Sequence, residues 1–335
     1  MPLIALAMVL LAQEKALYPS SVVGTDFDFI VDGDPDVFED LVPRGEGKVE
    51  MPDKTDRTKE LRQKAFLFEA RFRDNTKISI AIDAAFKTED EARKEALRYT
   101  PRLGKLPTAL RQGLRRLVVH RGGEDATAFS DEGLIVVYSD NATKRIGTHD
   151  LEETIFHESV HAAWDKAHQG SEAWRDAQKK DGRFLTDYGR KNPNNEDLAE
   201  SALFAFALIH HPERIPKKEA EKIRGAIPAR IAFVETLLPP GRPLHYVTCQ
   251  LDLTEVGHLS DIVSNALMNG LGQDEVRVSA WLDEARGRFK DAEMFLAAAA
   301  KEFGVEEQEL KAQVEAFRHC NCKHGEVGAA VSAAK

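Results

Sequence analysis

Two histidines and a glutamate stand together in the segment "IFHESVHAAW" (155–164). His157 and His161 are one helical turn apart, so both imidazoles project from one face of a helix and can reach a single metal ion. Glu158 lies about 100° around that helix from His157, where it can act on a water molecule without binding the metal itself. The HExxH pattern also occurs by chance, so the rest of the chain has to supply a third ligand.

A pair of acids further along the chain offers that ligand. Glu196 and Glu200 are four residues apart in "NNEDLAESALFAFAL" (194–208), which predicts a helix with an apolar opposite face. A catalytic zinc site needs three protein ligands and one open position. One carboxylate can bind the metal, and the other can hold a ligand histidine through its ring N–H. The alternative is that both acids only cap and solvate the start of this helix.

Two other residues near the histidines are less suitable as ligands. His168 stands seven residues after His161, about 10 Å along a continuing helix, which is too far to share the ion. Trp164 also occupies the position at which a metzincin turns its chain with a glycine. We therefore expect His168 to be a solvated histidine at the helix end. Asp165 is predicted either as a partner of His161 on the same helix face or as a surface carboxylate.

The combined motifs resemble a known family. "HESVH", "FLTDYGRKNPNNEDLAES" (184–201) and "HPERI" (211–215) are similar to the catalytic domain of the anthrax lethal factor-like zinc peptidases, over about residues 114–240. The resemblance implies a zinc metallo-endopeptidase of the gluzincin type. It does not extend to the substrate-recognition and translocation domains of lethal factor, so the substrate specificity of that protein is not expected here.

The same resemblance implies a role for each residue of the site. The zinc ligands would be His157, His161 and Glu196, with Glu158 as general base, Glu200 as support for a ligand histidine and Tyr188 as hydrogen-bond donor to the developing oxyanion. Tyr188 lies in "TDYGRKNPNN", which is rich in Gly, Pro and Asn and is predicted as a loop. The alternative for Tyr188 is a wall residue with its hydroxyl in water.

Strand patterns surround the predicted active-site helix. Alternating apolar residues over 66–73 and 77–86, with Asp74 and Asn75 between them, predict a β-hairpin. Two further strands are predicted at 114–120 and 133–139. The second is interpreted as the edge strand beside the active-site helix, to which an extended peptide could add. The stretch between these two strands is predicted as a loop.

Helical patterns fill most of the remaining chain. A capping box of Thr88 and Glu91 begins a helix over 88–99, and Thr148 and Asp150 begin the active-site helix over 148–168. Further helices are predicted at about 196–211, 216–224 and 228–238, and amphipathic helices over 274–318. The whole indicates an α+β fold, in which a zincin-like catalytic domain with a small mixed sheet and an active-site helix precedes a helical C-terminal region.

These patterns divide the chain into four regions. The apolar run in residues 1–16 is too short to span a bilayer. Its length fits the hydrophobic region of a signal peptide. Residues 17–112 form an N-terminal α+β part packed on the catalytic domain of 113–240, and 241–335 form a helical C-terminal extension. A secreted or periplasmic protein without a membrane span is expected. The alternative for the first residues is a buried strand or helix.

Charge and cysteine content limit the functions further. The formal net charge of −10 argues against nucleic-acid binding and is compatible with a peptide or protein substrate. A disulfide from Cys249 to Cys320 or Cys322 is favoured over a second metal site at "HCNCKH" (319–324). Two alternatives to a peptidase stay open: an inactive zincin-like binding or toxin-accessory protein, and a redox or metal-handling protein acting through Cys320 and Cys322.

Overall fold

The computed structural model describes residues 15–53, 59–240, 244–245, 256–285, 287–289 and 291–319. The chain forms two compact units, of which the second comprises Val37–Asp40, Arg71–Lys77 and Pro243–Lys335 and the first the rest. No helix in these described ranges is long and apolar enough to cross a membrane. The predicted signal peptide, apart from its last two residues, and all three cysteines lie outside the described residues.

A six-stranded mixed sheet has the strand order β1-β2-β3-β4-β6-β5. Its strands are β1 (Phe38–Pro52), β2 (Glu60–Phe72), β3 (Lys77–Asp83), β4 (Arg116–His120), β5 (Thr127–Phe129) and β6 (Leu134–Tyr138). β4 runs parallel to both β3 and β6, and β5 runs antiparallel to β6. The strands are rich in Val, Ile, Leu and Phe, and β6 is buried along its whole length, as expected for an inner parallel strand.

The predicted hairpin and the two later strands are confirmed, but the predicted edge strand is wrong. β2 and β3 are neighbours, and Asn75 adopts a positive φ of 62° in the turn that connects them. β6, predicted at the edge, lies between β4 and β5. The stretch predicted as a loop contains the short edge strand β5, whose three residues carry too weak an alternation to be recognised from sequence.

Ten α-helices of the first unit are described. They are α1 (Glu89–Ala96), α2 (Thr100–Lys105), α3 (Thr108–Arg111), α4 (Ser139–Gly147), α5 (Leu151–Trp164), α6 (Glu172–Asp181), α7 (Asp187–Lys191), α8 (Asp197–His210), α9 (Lys217–Ala226) and α10 (Pro228–Leu237). Thr88 caps α1 by accepting the Glu91 N–H at 3.2 Å, but the Thr88 N–H donates to Phe86, so only half of the predicted capping box forms.

The helix that carries both histidines is shorter than predicted. α5 ends at Trp164, and a π-helical turn follows over Asp165–Gln169. α5 packs against β5, β6 and α8, and its buried Ile155, Phe156 and Val160 each contribute about 1.5–3 kcal/mol by leaving water. Gly113 permits the close approach of the chain after α3, because a Cβ there would lie 2.4 Å from the Cβ of Ala163.

The helix that follows Glu196 and carries Glu200 is buried on all sides. Every residue of α8 from Asp197 to Leu208 is buried, which agrees with its nearly continuous apolar sequence. A buried ion pair fixes its first turn: Arg230 Nε donates to Asp197 Oδ2 at 2.8 Å, and Arg230 Nη1 lies 3.2 Å from Asp181 Oδ2. Glu196 lies immediately before α8, so the ion pair of the adjacent Asp197 also restricts the backbone of Glu196.

The second unit has a helical core of its own. Its helices are α11 (Val256–Asn265), α12 (Glu275–Ala285), α13 (Ala292–Phe303) and α14 (Glu307–His319), with a π-helical turn at Ala266–Gly270. Trp281 packs against the rings of Phe289, Phe295 and Phe303 in this core. The predicted helical C-terminal region is confirmed.

Candidate metal centre

Three side chains from α5 and the start of α8 converge on one point. His157 Nε2 lies 3.1 Å from His161 Nε2, and Glu196 Oε2 lies 3.3 Å from the first nitrogen and 3.1 Å from the second. The two imidazoles project from the same face of α5 because they are one turn apart. Burial alone would raise the pKa of Glu196, but the hydrogen bonds with both imidazoles outweigh it and hold that pKa below its ordinary value.

The dimensions of this triangle fit a zinc ion. Ligand atoms at 2.0–2.1 Å from a tetrahedral zinc are separated from one another by about 3.3 Å. The three observed separations are close to this value, and two imidazole nitrogens with one carboxylate oxygen are a donor set that zinc accepts. In the described part of the chain, His157, His161 and Glu196 form the group of His, Cys, Asp and Glu residues that could hold a metal ion.

Asp165 orients His161. Its Oδ2 accepts from His161 Nδ1 at 2.7 Å, which leaves His161 Nε2 directed at the other two ligand atoms. Burial lowers the pKa of His161, but the hydrogen bonds to Asp165 and Glu196 prevail and raise it to about 10. Asp165 was predicted either as a partner of His161 or as a surface carboxylate, and the structure favours the first.

Glu200 lies farther from His157, the histidine it was predicted to hold, than Asp165 lies from His161. Its Oε1 lies 3.6 Å from His157 Nδ1, longer than a normal hydrogen bond. Among the described residues, that buried nitrogen has no hydrogen-bond partner. Glu200 instead accepts three hydrogen bonds from Ser20 and Ser21, which no local sequence pattern indicates because about 180 residues separate the partners.

Glu158 is half-buried beside the ligands and lines the same cleft. Removal from water raises the pKa of its carboxyl, while the neighbouring imidazoles lower it and Glu196 raises it further. A carboxylate whose pKa is raised in this way is a stronger base than an ordinary glutamate, which suits it to accept a proton from water.

Tyr188 lies at the rim of the site. Part of its segment, predicted as a loop, forms the short helix α7, which Thr186 caps by accepting the Gly189 N–H at 3.0 Å. Tyr188 is 41% exposed and lines the cleft together with Glu196. Partial burial and the negative charge of Glu196 raise the pKa of the phenol to about 12, so it remains a hydrogen-bond donor at neutral pH.

His168, predicted as a solvated histidine at the helix end, is half-buried and does not belong to the metal-ligand group. Its ring lies 6.4 Å from Trp164 and 5.8 Å from Phe233, and this burial lowers the pKa of His168. The π-helical turn places it on this aromatic surface.

An open cleft of about 830 Å³ is lined by the three candidate ligands and by Glu158. One wall is formed by the chain around β5, from Asp125 to Ala128, and another by α7 with Tyr188. The cleft is also lined by Pro19, Ser20, Val22 and Val23, which no sequence pattern indicated as part of the site.

No protein-family model matches the chain, and no curated protein or solved structure matches it. The resemblance to the lethal factor-like peptidases therefore stays a prediction based on the motifs.

Proposed function

We propose that this protein is a zinc-dependent metallo-endopeptidase with a zincin-like catalytic domain. The observation that supports it best is the triangle of His157, His161 and Glu196 atoms, whose edges of 3.1–3.3 Å fit zinc, with Glu158 beside it in an open cleft. The apolar run near the N-terminus supports an exported enzyme.

Each residue of the cleft then has a chemical task. When bound, zinc lowers the pKa of a water to about 7 and polarises the scissile carbonyl. Glu158 accepts the proton of the attacking water at its carboxylate and returns it to the leaving amine. Tyr188 donates its phenolic O–H to the oxygen on which negative charge develops. Asp165 holds His161 in the tautomer that presents Nε2 to the metal.

The substrate we propose is an extended segment of a peptide or protein. β5 is the edge strand of the sheet and borders the cleft, so its free backbone groups can pair with such a segment. The strand proposed to pair with the substrate is thus Thr127–Phe129 and not the stretch 133–139 that was predicted from sequence. An open cleft of about 830 Å³ is large enough for several side chains of a peptide.

Zinc content and peptide hydrolysis, measured on the same variants, test the proposal. Wild type should bind about one zinc and cleave members of a peptide library. Glu196→Ala should lose the zinc, and the control His168→Ala should retain it, because His168 packs against Phe233 rather than at the ligands.

Glu158→Gln separates metal binding from turnover. It should keep the fold and the zinc but lose hydrolysis by about 10²–10⁴-fold, because an amide cannot accept the proton of water. Hydrolysis at the wild-type rate in this variant would disprove the mechanism. Zinc binding by a wild type that cleaves no peptide would favour the inactive binding protein.

A further inference from the structure

A segment near the N-terminus lines the cleft and is hydrogen-bonded to both α7 and α8. We call this segment, Leu17–Ser21, the N-terminal strap. Its backbone contacts the chain that leads into α7: the Leu17 N–H donates to Leu185 O at 3.0 Å, and Tyr18 forms a parallel bridge with Thr186.

The strap also satisfies the first amides of α7. The Asp187 N–H donates to Tyr18 O at 2.8 Å, and the Tyr188 N–H donates to Pro19 O at 3.0 Å. The first N–H groups of a helix have no partners within the helix, so these two carbonyls supply what α7 cannot supply itself. The position of the Tyr188 backbone thus depends on the strap.

The other end of the strap surrounds Glu200. The Ser21 N–H donates to Glu200 Oε2 at 2.7 Å, and the hydroxyls of Ser21 and Ser20 donate to Oε1 at 3.0 and 3.1 Å. The Glu200 side chain is 1% exposed, so these donors replace the water that the carboxylate loses. They fix Oε1, the oxygen that lies 3.6 Å from His157 Nδ1.

Tyr18 fastens the strap to the same face of α8. Its ring stacks on Phe204, one turn beyond Glu200, with ring centroids 4.9 Å apart. Its hydroxyl donates to Glu219 Oε2 at 2.8 Å. The strap is therefore held by packing as well as by hydrogen bonds.

We propose that the N-terminal strap is a positioning element of the metal centre. Ser20 and Ser21 hold Glu200 Oε1 at 3.6 Å from His157 Nδ1, and the strap backbone holds Tyr188 at the rim of the site. A carboxylate then stands behind each histidine: Asp165 is hydrogen-bonded with His161 at 2.7 Å, and Glu200 lies 3.6 Å from His157. The inference rests on the metal site of the proposed function but does not require peptide hydrolysis.

The double variant Ser20→Ala/Ser21→Ala tests this role by zinc affinity, measured by competition with a chromophoric chelator. Loss of both hydroxyls leaves Glu200 with the single backbone donor, so its orientation is no longer fixed. We expect the Kd for zinc to rise about 10–100-fold, the range for loss of a partner behind a metal ligand. Ser171→Ala is the matched control, because it removes a hydroxyl that caps α6 by accepting from Trp174 and lies outside the cleft.

The same substitutions in a Glu200→Gln background distinguish positioning from general stability. If the serines act through the Glu200 carboxylate, they should change the Kd for zinc much less in that background than in wild type. A lower melting temperature with an unchanged or tighter Kd in the double variant would overturn the proposal, as would an equal rise in Kd in both backgrounds. If the double variant does not fold, Ser20→Ala alone is measured, because Ser20 is only half-buried.

The outcomes also separate this inference from the proposed function. A wild type that binds zinc without cleaving peptides would disprove the peptidase but leave the affinity test of the strap intact. A wild type that binds no zinc would overturn both.

Discussion

Glu153 should make the stability of the first unit depend on pH. It lies one turn before His157 on α5, its residue is 2% exposed, and its Oε1 accepts the Ile30 N–H at 3.0 Å. Burial raises the pKa of this carboxyl from 4.5 to about 7, although the backbone hydrogen bond acts in the opposite direction. In the unfolded chain the same group titrates near its ordinary value.

The sign and size of the effect follow from that difference. Between pH 4.5 and about 7 the folded state keeps a proton that the unfolded state has released. The contribution of Glu153 to the free energy of unfolding is therefore fully present below pH 4.5 and is lost as the pH rises through about 7. At about 1.4 kcal/mol for each pH unit, the loss is about 3 kcal/mol.

Glu153→Gln is the variant that isolates this contribution. The amide oxygen can still accept the Ile30 N–H, but the side chain no longer ionises. Relative to wild type, the variant should become progressively more stable from pH 5 to pH 8, by about 3 kcal/mol at the upper end. Urea unfolding of the metal-free protein, followed by tryptophan fluorescence in a Trp281→Phe background, reports on Trp164 and Trp174 of the first unit.

Glu152→Gln provides the control on the adjacent residue. Glu152 is also buried, but Arg102 and Lys105 pair with it at 3.1 and 3.3 Å. Its substitution should lower stability by removing a paired charge and should not produce the gain at high pH. Parallel stability curves for wild type and Glu153→Gln between pH 5 and 8 would refute the reasoning.

Three further substitutions test the supports of the site. Tyr188→Phe should lower kcat by about 10²–10³-fold with KM and zinc content nearly unchanged, since the hydrogen bond forms only in the transition state. Steady-state kinetics measure this change. A rise in KM alone would make Tyr188 a wall residue. Asp165→Ala should weaken zinc binding by about 10–100-fold in a chelator competition, because His161 Nδ1 loses its acceptor. An unchanged affinity for zinc would show that Asp165 does not orient His161. Arg230→Met should lower the free energy of unfolding in urea by about 3–5 kcal/mol, because Asp197 would remain buried without its cation. A loss below about 1 kcal/mol would mean that the ion pair contributes little to stability.

Local periodicity explains what the sequence could predict. His157 and His161 are one turn apart on a single helix, so their common direction follows from spacing alone. The apolar run after Glu196 marks a buried helix in the same way, and the structure brings that helix to the histidines. The mixed α and β content and the helical C-terminal region are likewise local properties.

Contacts between distant residues explain what could not be predicted. Ser20 and Ser21 meet Glu200 only in the folded chain, and a pair of adjacent serines predicts nothing about such a partner. β5 is recognised by its pairing with β6 and not by its own three residues. The choice between the two predictions for Asp165 is made by the 2.7 Å contact of its Oδ2 with His161 Nδ1, because helical spacing allows both roles.

The distance along the chain between the strap and α8 sets the order in which the centre is made during synthesis. Ser20 leaves the ribosome 180 residues before Glu200. At 5–20 residues per second, roughly 10–40 s pass before its acceptor appears. Glu196, the proposed third ligand, is made only four residues before that acceptor. A growing chain therefore carries the HExxH helix without a complete metal site, and the proposed peptidase gains its activity only after the sheet and α5, its nearest potential targets, have been made.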